Sequence, residues 1–325
     1  MASDLRASRG TIKDHPGFDV NNDSEVLRKA MKGLGTDEDS IINLLTNRSS
    51  AQRKQMCKAY KTLFGKDLVE DLKSELGGKF EKLIVGMMKT RLEYDVSQLR
   101  DALKGAGTNE KCLIEILASR TNAEIHEIKA AYKEEYGKDL EEDIVNDTSG
   151  HFGRMLVILL QGNRDQGRHT EEASVKQDAE ELFQAGELQC GTDESKFLTI
   201  IGTRNIHHLR KVFDQYMKIS GYQIEESISS ETSGNLANAL LAVVKCVRDV
   251  PEYFAESLHN SMKGAGTDDD TLIRIMISRS EVDMLDIREK FRQKFGKSLY
   301  IAIKKDTSGD YRNALLKLCG GGVGE

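Results

Sequence analysis

One arrangement of glycines constrains this chain more than any other feature. The pentapeptide Lys32-Gly33-Leu34-Gly35-Thr36 returns as Lys104-Gly105-Ala106-Gly107-Thr108 and again as Lys263-Gly264-Ala265-Gly266-Thr267. A degenerate copy, Gln189-Cys190-Gly191-Thr192, lies between the second and third. The closing glycines, Gly35, Gly107, Gly191 and Gly266, are separated by 72, 84 and 75 residues. An arginine follows each by 13 positions (Arg48, Arg120, Arg204, Arg279), and a carboxylate follows each by 40 (Glu75, Asp147, Glu231, Asp306). Three of those acids precede Thr-Ser-Gly, at 148–150, 232–234 and 307–309, whereas the first precedes Leu76-Gly77-Gly78. Two offsets held in four copies define a fourfold repeat of about 70 residues, the signature of an architecture built from like units.

Within each unit the period is helical. Ile41, Ile42, Leu44 and Leu45 follow the first loop, and Cys112, Leu113, Ile116 and Leu117 follow the second, placing apolar groups along one helix face. Thr36, Thr108, Thr192 and Thr267 are expected N-caps, each with an acid or amide directly after it, and the preceding glycine is expected to end the previous helix. Asp147, Glu231 and Asp306 mark a further loop-to-helix junction. The pattern predicts an all-α fold of four repeats with five helices each, and strand-like alternation is absent. The expected organisation is a short tail (1–17), repeats at 18–89 and 90–161, a polar linker at 162–173, and repeats at 174–248 and 249–325. The extra length between the second and third units divides the repeats two and two.

Composition narrows the partners. The chain carries 47 Lys plus Arg against 53 Asp plus Glu, a formal net charge of −6, so it lacks the basic surface that nucleic-acid binding needs. With 2 prolines and 38% hydrophobic residues it is neither collagen-like nor disordered. The longest apolar runs, Met155 to Leu160 and Ala239 to Val244, fall far short of the roughly 18 to 20 residues of a membrane span. The first ten residues contain no signal-peptide core. Cys57, Cys112, Cys190, Cys246 and Cys319 form no Cys-x-x-Cys pair, which argues against structural zinc, and Cys57, Cys112 and Cys246 are expected as small core hydrophobes. A reduced, cytoplasmic protein is the expectation, and an extracellular pool without a signal peptide is compatible with it. The seven histidines, His207-His208 included, sit in no nucleophile or metal motif, and no Gly-x-Ser-x-Gly or phosphate loop occurs. The chain is not expected to be an enzyme.

A lone Gly-x-Gly between helices is ordinarily just a tight turn. The recurring link to a distant acid changes that reading. A glycine turn lets several backbone carbonyls approach one point, and the acid adds two oxygens. Three carbonyls and a bidentate carboxylate make about five oxygens, whereas calcium takes 6 to 8. Hard oxygen donors disfavour zinc and copper. The shortfall leaves room for an outside oxygen, such as a lipid phosphate, and divalent bridges would overcome the repulsion between a chain of net charge −6 and an anionic bilayer. No EF-hand loop is present. Lys32, Lys104 and Lys263 would then stand at headgroup level, each adding about 1 kcal/mol near an anionic surface, or serve simply as solvated helix-end cations. The competing reading is a helical-repeat scaffold for protein partners, which explains the period but neither the loops nor their acids.

From Pro16-Gly17-Phe18 to Leu318-Cys319 the sequence, with its Lys-Gly-x-Gly-Thr-Asp/Asn loops and their acids, resembles the annexin family. The resemblance implies four five-helix repeats packed as a curved disc with calcium loops on the convex face. It also implies calcium-dependent binding to anionic phospholipid membranes, phosphatidylserine above all, and a homotrimer on the bilayer. Its implied calcium ligands are Met31, Gly33, Gly35 and Glu75 in the first repeat; Leu103, Gly105, Gly107 and Asp147 in the second; Gly186, Gln189, Gly191 and Glu231 in the third; and Met262, Gly264, Gly266 and Asp306 in the fourth. Two departures stand out: the third loop lacks Lys-Gly, and Cys190, an implied headgroup contact, replaces an expected tryptophan. The resemblance also implies a polar channel at Asp95, Glu115, Arg120 and Arg274, where Gln98 replaces an acid and puts weak cation conductance in doubt. The alternative is a buried salt-bridge network joining the two halves. Arg48, Arg204 and Arg279 are read as securing loops.

Overall fold

The computed structural model describes residues 8–186 and 192–322. Its described residues form twenty α-helices, five per repeat, and no strand. The first repeat holds α1 (Val20–Met31), α2 (Glu38–Leu45), α3 (Ser50–Phe64), α4 (Leu68–Glu75) and α5 (Gly78–Met87). The second holds α6 (Arg91–Ala102), α7 (Glu110–Ser119), α8 (Asn122–Tyr136), α9 (Leu140–Asp147) and α10 (Gly150–Leu160). The third comprises α11 (Glu172–Gly186), α12 (Glu194–Thr203), α13 (Ile206–Ser220), α14 (Ile224–Glu231) and α15 (Gly234–Arg248). The fourth comprises α16 (Val250–Ser261), α17 (Asp269–Arg279), α18 (Met284–Phe295), α19 (Leu299–Asp306) and α20 (Gly309–Cys319). Among the described residues no helix is long and apolar enough to cross a membrane.

The third helix of each repeat shows how local chemistry sets the pattern. Ser49 with Gln52 and Thr121 with Glu124 form reciprocal capping boxes that start α3 and α8. Gly65, Gly137, Gly221 and Gly296 then end α3, α8, α13 and α18 in the left-handed conformation, at φ of 66°, 64°, 78° and 68°. The expected apolar stripe faces inward: Ile41, Ile42 and Leu45 are buried with Leu27, Met56 and Tyr60, and Cys112, Leu113, Ile116 and Leu117 are buried together in the second repeat. Cys112, Cys246 and Cys319 are buried, whereas Cys57 is only half-buried, with its thiol pKa raised chiefly by desolvation.

The chain divides into two compact units, residues 1–94 with 254–325 and residues 95–253. The first repeat therefore packs with the fourth, and the second with the third. The linker expected to separate pairs of repeats lies inside the second unit and is fastened there. Arg164 donates from Nη1 to the carbonyls of Ile201 (3.0 Å) and Arg204 (2.7 Å), and its burial pulls the guanidinium pKa down to about 10. In the other unit the first and fourth repeats meet. The Glu281 carboxylate accepts from the Ser50 amide at 2.6 Å and the Ser50 hydroxyl at 2.7 Å. The tail follows the same path: Leu285 donates its N–H to the Arg9 carbonyl (2.9 Å), Ile12 donates to Ser280 (3.0 Å), and Ile12 is buried. From residue 8 onward the short tail is a strap across the fourth repeat.

Candidate functional site

Each loop is closed by one backbone hydrogen bond across the glycines. The Asp37 N–H reaches the Ala30 carbonyl (2.9 Å), Asn109 reaches Ala102 (2.9 Å), and Asp268 reaches Ser261 (2.7 Å), each spanning seven positions. In the third repeat Asp193 reaches Ala185 (2.9 Å) across eight, which is the inserted residue expected there. Gly33 and Gly35 (φ 119° and 87°), Gly105 and Gly107 (both 105°), and Gly264 and Gly266 (104° and 99°) all occupy the region that penalises a Cβ. Met31 ends α1, while Leu103 and Met262 directly follow α6 and α16. Lys32, Lys104 and Lys263 are exposed at these helix ends. Gln189, Cys190 and Gly191 lie outside the described residues.

The helix caps differ from expectation by one position. Asp37, Asn109 and Asp268 accept from the amides of Ser40, Cys112 and Thr271, so the caps are the residues after the threonines. The Ser40 hydroxyl, then its amide, holds the Asp37 carboxyl below the usual carboxylate range. The freed threonine has a different task. Thr36 donates its hydroxyl to Glu75 Oε2 (2.6 Å), Thr192 donates to Glu231 Oε2 (3.0 Å), and Thr267 donates to Asp306 Oδ2. Thr108 reaches only the Asp147 main-chain carbonyl, at 3.4 Å. In the third repeat a Cβ on Gly186 would stand 3.4 Å from the Glu231 side chain, so Gly186 and its acid are neighbours.

The acids themselves are placed against electrostatic convenience. Glu75, Asp147, Glu231 and Asp306 are the last residues of α4, α9, α14 and α19. A carboxylate there faces the partial negative charge of a helix C-terminus, which disfavours it. None of the four forms an ion pair among the described residues, although ion pairs are plentiful elsewhere. An acid expected at a loop-to-helix junction is therefore an uncompensated charge beside unsatisfied carbonyls, a setting that suits a hard cation. Among the described residues no group of three or more His, Cys, Asp or Glu could hold a metal, so a cation here must draw on neutral oxygens as well as carboxylate. The oxygen donors that these acids and loop carbonyls offer suit calcium better than zinc. Replacing Ser by Gly77 in the first repeat costs no cap, because Ser149, Ser233 and Ser308 make no capping bond either. Glu75 and Asp306 line one cavity of ≈ 460 Å³, with Glu38 and Asp269 beside them.

A family model for annexins matches residues 22–87, 94–159, 177–243 and 253–318. The chain is an annexin. It is 64% identical to mouse annexin A5 over 315 residues, covering 97% of this chain and 99% of the relative. The solved structure of chicken annexin V superposes with a TM-score of 0.94 at 62% identity, covering 97% of this annexin and 99% of that chain. Calcium-bound annexin (Sm)1 is 35% identical with a TM-score of 0.81, covering 97% and 94%. Calcium-dependent phospholipid binding is the general property of the family.

The arginines of the repeat are structural partners. Arg48 clasps Asp23 (2.6 and 3.1 Å), Arg120 clasps Asp95 (both 2.8 Å), and Arg279 clasps Asp283 (2.8 and 2.7 Å). Arg204 shares Asp178 with His208, whose Nε2 lies 2.6 Å from Oδ2. The Asp95–Arg120 pair is thus closed within the second repeat, where two of the residues assigned to a channel neutralise each other. Glu115 is 3% exposed in the same unit and Arg274 is 1% exposed in the other.

Two further loop features bear on the site, the apolar tip Leu34 and the threonine hydroxyls, whose role differs from the capping expected of them. Leu34, at the tip of the first loop, is 109% exposed. Its signal was present: it is the one bulky apolar residue at a position held by alanine in Ala106 and Ala265. The threonine hydroxyls were visible as a residue fixed one place after every loop glycine.

Proposed function

We propose that this annexin binds anionic phospholipid, phosphatidylserine above all, through calcium held at its glycine loops. The observation that carries the reading is the set of four helix-ending acids with no ion pair among the described residues, three of them pinned by a threonine hydroxyl to the loop 40 residues earlier. Met31, Gly33 and Gly35 with Glu75, Leu103, Gly105 and Gly107 with Asp147, Gly186, Gln189 and Gly191 with Glu231, and Met262, Gly264 and Gly266 with Asp306 would hold the ions. Bound calcium supplies divalent charge and open coordination positions for a lipid phosphate oxygen. The chain's own residues do the rest. The left-handed glycines keep side chains off the loop, the threonines orient the acids, and the exposed lysines favour an anionic surface. Leu34 offers an apolar tip to the headgroup boundary. Cys190 is assigned the corresponding headgroup contact in the third loop.

A half-filled set of ligands makes affinity depend on lipid. Without vesicles each site should be as weak as other low-affinity calcium modules, about 10⁻⁴ to 10⁻³ M, and lipid and calcium should raise one another's affinity equally. Co-sedimentation with phosphatidylserine vesicles, dependent on calcium and reversed by chelator, tests the reading. Failure to sediment at millimolar calcium would leave the repeats as a scaffold for protein partners.

A further inference from the structure

Each glycine loop and its acid belong to different helices: the first helix of a repeat leads into the loop, and the fourth ends on the acid. About one turn before those ends, the first two repeats tie the two helices together. In the second repeat Arg100 of α6 donates from Nη1 to Asp143 Oδ2 (3.2 Å) and reaches the Tyr132 hydroxyl (3.4 Å). Tyr132 of α8 donates its hydroxyl to the same Asp143 oxygen at 2.6 Å, and Asp143 lies one turn before Asp147 on α9. The Arg100 guanidinium also lies over the Tyr136 ring, 5.3 Å from its centroid. The first repeat builds the same tie from Arg28, Asp71 and Tyr60. Tyr60 donates to Asp71 Oδ2 at 2.6 Å, Arg28 Nη1 stands 3.7 Å from that oxygen, and its guanidinium is 6.0 Å from the Phe64 centroid.

The other two repeats lack the tie. Counted from the closing loop glycine, the matching positions of the fourth repeat are His259, Phe291 and Ala302. Those of the third, allowing for its inserted residue, are Phe183, Tyr216 and Ser227. There the first helix meets the third through rings: His259 stacks on Phe295 with centroids 3.8 Å apart, and Phe183 meets Tyr216 edge-on at 6.4 Å. Ring contacts hold two helices together. A carboxylate gripped by both a guanidinium and a hydroxyl also fixes their register, because those bonds are directional. The hydroxyls are secure donors. Tyr60 and Tyr132 are fully buried, and desolvation together with the bond to the aspartate pushes each phenol up to about 12. Attraction for calcium does not account for the arginines, since a guanidinium one turn from a cation site repels the cation. What they supply is geometry.

We infer that Arg28 with Asp71, and Arg100 with Asp143, are positioning residues that hold loop carbonyls and acid in register for an ion in the first two repeats, a role that rests on the calcium reading proposed above. The tie acts through the helices and need not touch the ion. A loop competent for only part of the time binds with an affinity reduced by that fraction. Removing Arg100 therefore has two opposed effects: loss of a nearby positive charge favours a cation, and loss of register disfavours it. Positioning predicts that the second wins, so the sign of the change separates it from simple electrostatics.

The chain has no tryptophan, so Ala106→Trp or, separately, Ala265→Trp places a sole reporter on the second or the fourth loop. Terbium, standing in for calcium, is titrated into the full chain without lipid and read by energy transfer from that reporter. Arg100→Met should raise the terbium midpoint at the second loop about fivefold, as for a loop competent roughly a fifth of the time, and leave the fourth loop unchanged. Combining it with Asp143→Asn should weaken binding by less than the two separate effects multiplied, because both changes cut one tie. Ile125→Val, buried beside Gly162 in the same repeat, lowers stability without touching the tie and should leave the midpoint where it is. In the ion-free chain, hydrogen exchange of the Asn109 amide, which closes the second loop on Ala102, should quicken in Arg100→Met and not in Ile125→Val. Should Arg100→Met melt too early to titrate, Tyr132→Phe keeps the ring, removes only the hydroxyl, and should shift the midpoint roughly twofold. No saturable transfer in the reporter parent overturns the site itself and the positioning role with it. Saturable binding in the parent, with a midpoint that Arg100→Met leaves unmoved or lowers, overturns the positioning role and leaves the calcium reading standing.

Discussion

Truncating Leu34 to alanine isolates what the first loop meets outside the protein. The side chain is 109% exposed and packs against nothing in the fold, so its removal should leave the thermal midpoint where it is. Any change in membrane binding must then come from the tip itself. Leucine exceeds alanine by three carbons, and at about 0.8 kcal/mol per methylene the loss is roughly 2 kcal/mol for full transfer to hydrocarbon, or about 1 kcal/mol for partial transfer. Partition onto vesicles at fixed calcium should fall by roughly 5- to 30-fold. The calcium midpoint responds far less, because linkage spreads the loss over every ion taken up: for four ions the shift is the fourth root, about 1.5- to 2.3-fold. The informative assay is therefore bound fraction on phosphatidylserine vesicles at one calcium concentration near the wild-type midpoint. The reciprocal change, Ala106→Leu, places the same side chain on the second loop and should strengthen partition by a similar factor. If Leu34→Ala partitions within twofold of the parent, the loop tip does not enter the apolar boundary and the binding is purely headgroup electrostatics.

Asp147→Asn and Asp306→Asn should each raise the calcium required for vesicle binding, and the pair should raise it further. Removing a charge from a helix C-terminus should at the same time leave the calcium-free fold as stable or up to about 1 kcal/mol more so, read from chemical denaturation. Thr267→Val, which frees the Asp306 carboxylate, should raise the calcium midpoint more than Thr108→Val, whose hydroxyl reaches only a carbonyl at 3.4 Å; equal effects in co-sedimentation would show that the hydroxyls do not position the acids. Gly10→Ala should loosen the strap, since its Cβ would stand 2.5 Å from the Glu281 backbone. A loss of about 1 to 3 kcal/mol, seen as a fall of several degrees in the thermal midpoint, is expected, and an unchanged midpoint would mean the strap is not held there.

What the sequence made legible was whatever it wrote more than once. The glycine loops, the arginines and the acids recur at fixed offsets, and even the extra residue of the third loop could be counted before Asp193 was seen to reach Ala185 across it. The errors share a cause. Thr36 and Asp37 are both good caps by local chemistry, and nothing local says that the threonine is wanted by Glu75, which only folding brings to 2.6 Å. The linker is polar and glycine-bearing, so it reads as a divider, yet burying Arg164 against the Ile201 and Arg204 carbonyls turns it into part of one unit. The pairing of the first repeat with the fourth depends on Ser50 and Glu281, 231 residues apart, a distance at which no periodicity carries information. Repetition reveals the shared device, and what each copy is held against is read only from the folded chain.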